Sequence, residues 1–170
     1  MLNEKITNLL NDQVNKELYS AYLYLYFANY FEEKDLSGFA NWYQIQACEE
    51  RDHAMIMRKY LHSNGEKVVL KAIDEPKIKF NDNIDVLKAG LEHEQYVTSL
   101  INNIYLVANE IKDFRTMQFL NWFIKEQGEE EENASELVSK IELFGSDLRS
   151  LYMIDQELSK RVYKAPSIEL

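Results

Sequence analysis

Residues 47–53 read Ala47-Cys48-Glu49-Glu50-Arg51-Asp52-His53, and they place a carboxylate and an imidazole where a helix needs apolar side chains. Glu50 and His53 stand one turn apart on the stripe Phe39, Tyr43, Ala47, Glu50, Ala54, Met57, Leu61, which has amphipathic helical spacing. Three other long segments interrupt their stripes in the same way. The first, about Asn3 to Phe31, reads Ile6, Leu10, Val14, Glu17, Ala21, Tyr24, Ala28, Phe31. The third reads Leu87, Leu91, Glu94, Val97, Ile101, and the fourth Leu120, Ile124, Gln127, Glu130, Ala134, Leu137, Ile141. An unpaired buried carboxylate is costly unless it takes up a proton. Such groups on the inner faces of four helices therefore imply a shared cation.

The breaks between segments set the topology. Glu32-Glu33-Lys34-Asp35 separates the first two helices, with Asp35 or Ser37 as the expected N-cap of the second. Asn64-Gly65 ends that helix with a residue suited to the left-handed C′ position. Residues 66–81 have no helical period, and Glu75-Pro76 disfavours a helix there. The third helix starts near Asn81 or Asp82, and the fourth follows a short break at Lys112-Asp113. After Gly145-Ser146-Asp147 a shorter fifth helix is expected over 147–162. Helices of about 28 residues are about 42 Å long. The break of about 16 residues reaches about 53 Å when extended. It can cross the whole bundle, so the second and third helices run parallel while each short break joins antiparallel neighbours. In that geometry the interrupting residues meet at one level. The expectation is one all-α domain over 1–170, with a four-helix bundle over 3–144 containing one long crossover, and a fifth C-terminal helix.

Composition narrows the function. The formal charge of −10 repels nucleic-acid phosphates and anionic membranes and attracts cations. No run is long and apolar enough to span a membrane. The N-terminus lacks the basic and apolar regions of a signal peptide, and the single cysteine, Cys48, fits a reducing compartment; a cytoplasmic location is expected. Cys48 reads as a packed small residue, and His62 and His93 as surface or interface residues. Carboxylates with one imidazole suit iron or manganese better than copper.

Lys16-Glu17-Leu18-Tyr19-Ser20-Ala21-Tyr22, Glu49-Glu50-Arg51-Asp52-His53-Ala54 and Phe123-Ile124-Lys125-Glu126-Gln127-Gly128-Glu129-Glu130 carry a resemblance to non-haem bacterial-type ferritins, the ferritin-like di-iron family, along nearly the whole chain. The resemblance implies a ferritin-like fold and a ferroxidase centre, with Glu17, Glu50 and His53 on a first iron. Glu50, Glu94 and Glu130 would hold a second, with Gln127 hydrogen-bonded nearby. Related ferritins carry a third iron position, which maps onto Glu49, Glu126, Glu129 and Glu130; an ordinary solvated acidic face explains the same run. Tyr24 matches a tyrosine bordering the iron site, where it could hydrogen-bond a ligand, donate an electron or simply pack, and Trp122 shares that ambiguity. No haem is expected, because Asp52 stands where bacterioferritins carry the haem methionine.

The implied function is iron storage and detoxification: Fe(II) is oxidised by oxygen or peroxide and kept as a hydrated oxide inside a homo-oligomeric cage of 24 subunits. The fifth helix would line the four-fold axes, and Tyr22, Tyr26 and Tyr30 would suit interfaces. The alternative is a rubrerythrin-like di-iron peroxidase or another di-iron redox enzyme. Such sites carry a second Glu-x-x-His where this chain has Gln127 and Glu130, and a Cys-rich module for which one cysteine is too few. A shell subunit without oxidation activity would have lost the ligand carboxylates.

Overall fold

The computed structural model describes residues 1–168. Five helices follow in order: α1 Glu4–Glu32, α2 Ser37–Ser63, α3 Asn83–Glu110, α4 Phe114–Phe144 and α5 Leu148–Leu158. Side-chain caps start most of them. Asn3 accepts from Lys5 N (2.9 Å), Asp82 from Asp85 N (3.1 Å), Asp113 from Thr116 N (3.1 Å) and Asp147 from Ser150 N (2.8 Å). Gly65, at φ 77°, closes α2 as its sequence predicts, with Glu66 N donating to Leu61 O at 3.0 Å.

The start of α2 differs from expectation. Neither Asp35 nor Ser37 caps it, and Asp35 takes φ 57° in the turn. The cap comes from α5: the buried Asp155 carboxylate accepts from Gly38 N (2.7 Å) and Phe39 N (3.1 Å). A Cβ on Gly38 would lie 1.7 Å from the Asp155 carbonyl oxygen, so only glycine permits this docking. Gly38→Ala is expected to cost about 1–3 kcal/mol through forced displacement of α5. A thermal unfolding scan checks this; an unchanged midpoint would show that α5 is not anchored there.

Cross-helix contacts define the directions. Phe31 stacks on Phe39 while Tyr24 meets Tyr43, so α1 and α2 are antiparallel. Tyr60 bonds Thr116 while Gln46 bonds Glu130, so α2 and α4 are antiparallel. Lys88 pairs with Glu142 and Gln127 with Glu94, giving the same sense for α3 and α4. The second and third helices are thus parallel, joined by the crossover at residues 64–82. Two asparagines one turn apart on α1 grip this segment. Asn11 bonds Lys67 O and Val69 N, and Asn15 bonds Val69 O and Lys71 N, all at 2.7–3.0 Å. Tyr26 donates to Ile78 O (2.7 Å) and Tyr30 packs edge-on against Phe80. Only Tyr22 of the three tyrosines expected at interfaces is exposed; the other two hold the crossover down.

The apolar core is divided. One cluster, around Phe27, Phe31, Phe39, Tyr43 and Leu137, fills one end of the bundle. The other, around Leu10, Met57, Leu61, Ile101, Leu120 and Phe123, fills the opposite end. The polar residues that interrupt the four stripes lie between them.

Candidate metal centre

All four helices bring a carboxylate to the gap between the two clusters. Glu17 (α1), Glu50 (α2), Glu94 (α3) and Glu130 (α4) are at most 5% exposed, and His53 is 1% exposed. Ligand atoms of Glu17, Glu50 and His53 lie within 4.8 Å of one another. His53 Nδ1 is 3.6 Å from Glu50 Oε2, too long for a hydrogen bond. Both oxygens of Glu50, both ring nitrogens of His53 and Oε2 of Glu17 are buried without a hydrogen-bond partner. Buried polar atoms are normally satisfied. Five unsatisfied atoms converging from two helices, all of ligand type, fit a metal ion.

The remaining oxygens are oriented by neighbours. Gln13 Nε2 donates to Glu17 Oε1 (2.8 Å), and Gln46 Nε2 to Glu130 Oε2 (2.7 Å). Tyr24 donates its phenol proton to Glu94 Oε1, and Gln127 Nε2 donates to Glu94 Oε2 (3.1 Å). Gln127 also reaches Thr98 Oγ1 at 3.4 Å. The amide of Gln127 therefore positions a carboxylate, as the sequence predicts, and Tyr24 is bonded to the site as well as packed. Trp122 stands edge-on to the His53 ring at 5.5 Å between centroids. Gln13 and Gln46 escaped the sequence reading; Gln13 lies four residues before Glu17, a spacing that could have revealed it, whereas Gln46 bonds Glu130 across helices and left no local signal.

Burial dominates the electrostatics. Glu17 is held well above the usual carboxylate range by burial and then by Glu50, and Glu50 by burial and then by Glu94. Glu94 is raised by burial, and Glu130 is pushed up to about 8 by burial and the Glu94 charge. Burial, followed by the Glu94 charge, also raises the Tyr24 phenol. Burial without a cation thus favours the protonated form of these carboxyls, and a bound cation would favour their ionised form.

Of the residues expected at a third position, Glu130 belongs to this buried group, and the other three are more exposed. Glu49 is half-buried and paired with Arg161 (2.6 Å), Glu129 is exposed and paired with Lys125 (2.8 Å), and Glu126 is half-buried. His93, on α3, is partly buried against α1, 2.7 Å from Ser20 Oγ, and burial lowers its pKa to about 4.

A helical bundle with ligand atoms stranded at mid-height defines a metal-binding four-helix protein. Residues 7–144 match the ferritin family, described as the ferritin-like domain. The chain is 37% identical over 163 residues to the bacterial non-heme ferritin of Staphylococcus saprophyticus, covering 96% of this chain and 98% of that one. It is 35% identical to the Staphylococcus aureus protein of the same name, with the same coverage. Among solved structures, a closed form of the Archaeoglobus fulgidus ferritin engineered by site-directed mutagenesis superposes with a TM-score of 0.94 at 40% identity, covering 96% of this chain and all of that one. The open-pore ferritin of the same archaeon gives 0.92 at 42%, covering 95% and 98%. The chain belongs to the ferritin family.

Proposed function

We propose that this ferritin stores iron by oxidising Fe(II) at a dinuclear centre inside each subunit and depositing Fe(III) within a closed shell. Storage follows from membership of the family. The observation that carries the oxidation step is the set of five unsatisfied buried ligand atoms on Glu17, Glu50 and His53. Glu17, Glu50 and His53 serve one Fe(II), while Glu50, Glu94 and Glu130 serve the other. Four buried carboxylates balance two divalent ions and no more. Each Fe(II) yields one electron; dioxygen takes two with two protons to give peroxide, or peroxide takes two with two protons to give water. The ferric pair then exceeds the ligand charge by two, which favours capture of oxide or hydroxide and movement out of the site. Gln13, Gln46, Tyr24 and Gln127 hold the carboxylates in place throughout.

Glu49, Glu126, Glu129 and Glu130 are the proposed third position, on the way out. The acidic surface concentrates Fe(II) from solution. No described helix is long and apolar enough to cross a membrane, which accords with the cytoplasmic location we propose. Leu148, Tyr152 and Met153 on α5 are largely exposed in the lone chain and would be covered in an assembly of 24. The peroxidase alternative is not favoured, since where its second Glu-x-x-His would stand α4 carries Gln127, a donor to Glu94, and Glu130 in place of the histidine.

Mixing the protein with Fe(II) in air tests the proposal. Rapid oxidation should be followed by retention of iron in a soluble particle many times the 20.1 kDa mass of one chain. Elution at the mass of a monomer or dimer would remove the storage role. Iron precipitating at the buffer-only rate would remove the ferroxidase.

A further inference from the structure

We propose that the segment following α5 is a strap whose Arg161 guanidinium occupies Glu49 in place of a metal ion, so that a cation binds the carboxylates outside the dinuclear centre only when the strap releases. The inference rests on the metal-centre reading above. Its starting point is that the expected fifth helix stops at Leu158. The chain then runs along α2 as a non-helical strap, contact by contact. Asn41 Nδ2 donates to Leu158 O (3.2 Å) and Arg161 O (3.1 Å). Tyr163 donates to the Asp52 carboxylate about three turns further along α2.

Between these two fastenings Arg161 is fixed from three sides. Its Nη2 meets Glu49 Oε2 at 2.6 Å, its Nη1 donates to Trp42 O at 3.3 Å, and its guanidinium carbon lies 4.0 Å over the Trp42 ring. Both partners of the ion pair are about four-fifths shielded, at 20% and 19% side-chain exposure. This is a charge-assisted bond in a partly desolvated place, stronger than the exposed Lys125–Glu129 pair. Glu49 neighbours Glu50 in the chain and belongs to the proposed third position with Glu126, Glu129 and Glu130. A fixed positive charge at this point satisfies the carboxylate that a third cation would need, and repels that cation as well. Arg161 thereby restricts the protein to its inner centre and sets when an ion passes outward. A lysine or arginine on an ordinary surface would not do so, because it could swing aside at little cost.

Titration calorimetry with Zn(II), which is redox-inert, tests this on the assembled protein. The wild type should bind two ions tightly per subunit and a further one weakly. Arg161→Gln should tighten the further site by about tenfold or more, and adding Glu49→Gln should cancel that gain. Asn41→Ala, which loosens the strap without touching the ion pair, should tighten the same site in the same direction. Arg161→Lys, which keeps a cation beside Glu49, should stay near wild type. A further site in Arg161→Gln no tighter than in wild type, or a gain that survives Glu49→Gln, would overturn the strap. Wild-type protein with no tight Zn(II) sites would overturn the dinuclear centre instead.

Discussion

Glu50→Ala combined with His53→Ala is expected to slow rapid Fe(II) oxidation by about a hundredfold or more, while the shell still assembles. Losing even the groups that orient metal ligands commonly costs ten- to a hundredfold, and these two side chains supply four of the five unsatisfied atoms. Assembly should survive because neither side chain holds the bundle together. The apolar clusters at the two ends exclude both residues, and neither makes a hydrogen bond to another side chain. Alanine also removes a buried carboxylate that had no partner, so the metal-free variant loses little stability. Stopped-flow absorbance after mixing with Fe(II), together with gel filtration, separates the two outcomes. Oxidation at the wild-type rate in a variant shell would place the chemistry elsewhere.

Stability is expected to fall with rising pH in the metal-free protein, while the stabilisation that Zn(II) adds grows over the same range. Glutamate in an unfolded chain titrates near 4.3, whereas Glu130 in the fold is raised to about 8. A raised folded-state value means that the native protein binds more protons between those limits. Its contribution to stability is complete below about 4.3 and declines as pH rises through about 8, by up to roughly 1.4 kcal/mol per unit for each retained proton. Glu17, Glu50 and Glu94 move in the same direction. Zn(II) displaces the protons, so its stabilisation grows over the same range, reaching about 4 kcal/mol at a thousandfold excess over its dissociation constant. Calorimetric scans at about pH 5.5 and pH 8.5, with chelator or with Zn(II), read both trends. Glu130→Gln supplies the control for general charge repulsion and should flatten the metal-free slope. An equal slope in wild type and variant would mean that Glu130 is not a buried, raised carboxyl.

The helices and the level of the site were legible because both depend on local pattern. The three- and four-residue periodicity placed α1 to α4 within a few residues. Asp82, Asp113 and Asp147 lay at the expected breaks, where the structure shows them capping, and Gly65 announced its left-handed turn. Glu17, Glu50, His53, Glu94, Gln127 and Glu130 stood out as polar residues in apolar stripes, and all six are buried at mid-height. What escaped the reading lies between elements distant in sequence. Asp155 caps α2 through Gly38, 117 residues earlier, and no periodicity links the two positions. Tyr26 and Tyr30 looked like spare aromatics because the crossover they restrain has no pattern of its own. His93 lies off the stripe of α3, yet the neighbouring α1 covers it.

The sequence by itself determined four long amphipathic helices, a connection long enough to reverse the order of the second pair, and acids where hydrocarbon belongs, since a periodic burial cost is written in residue order. Only the tertiary structure decided that the ligand atoms of Glu50 and His53 stay unsatisfied while Glu49, the next residue, is satisfied by Arg161. Adjacent residues on a helix point about 100° apart. Which of them is left with free ligand atoms and which meets a guanidinium depends on what the rest of the chain lays against each face.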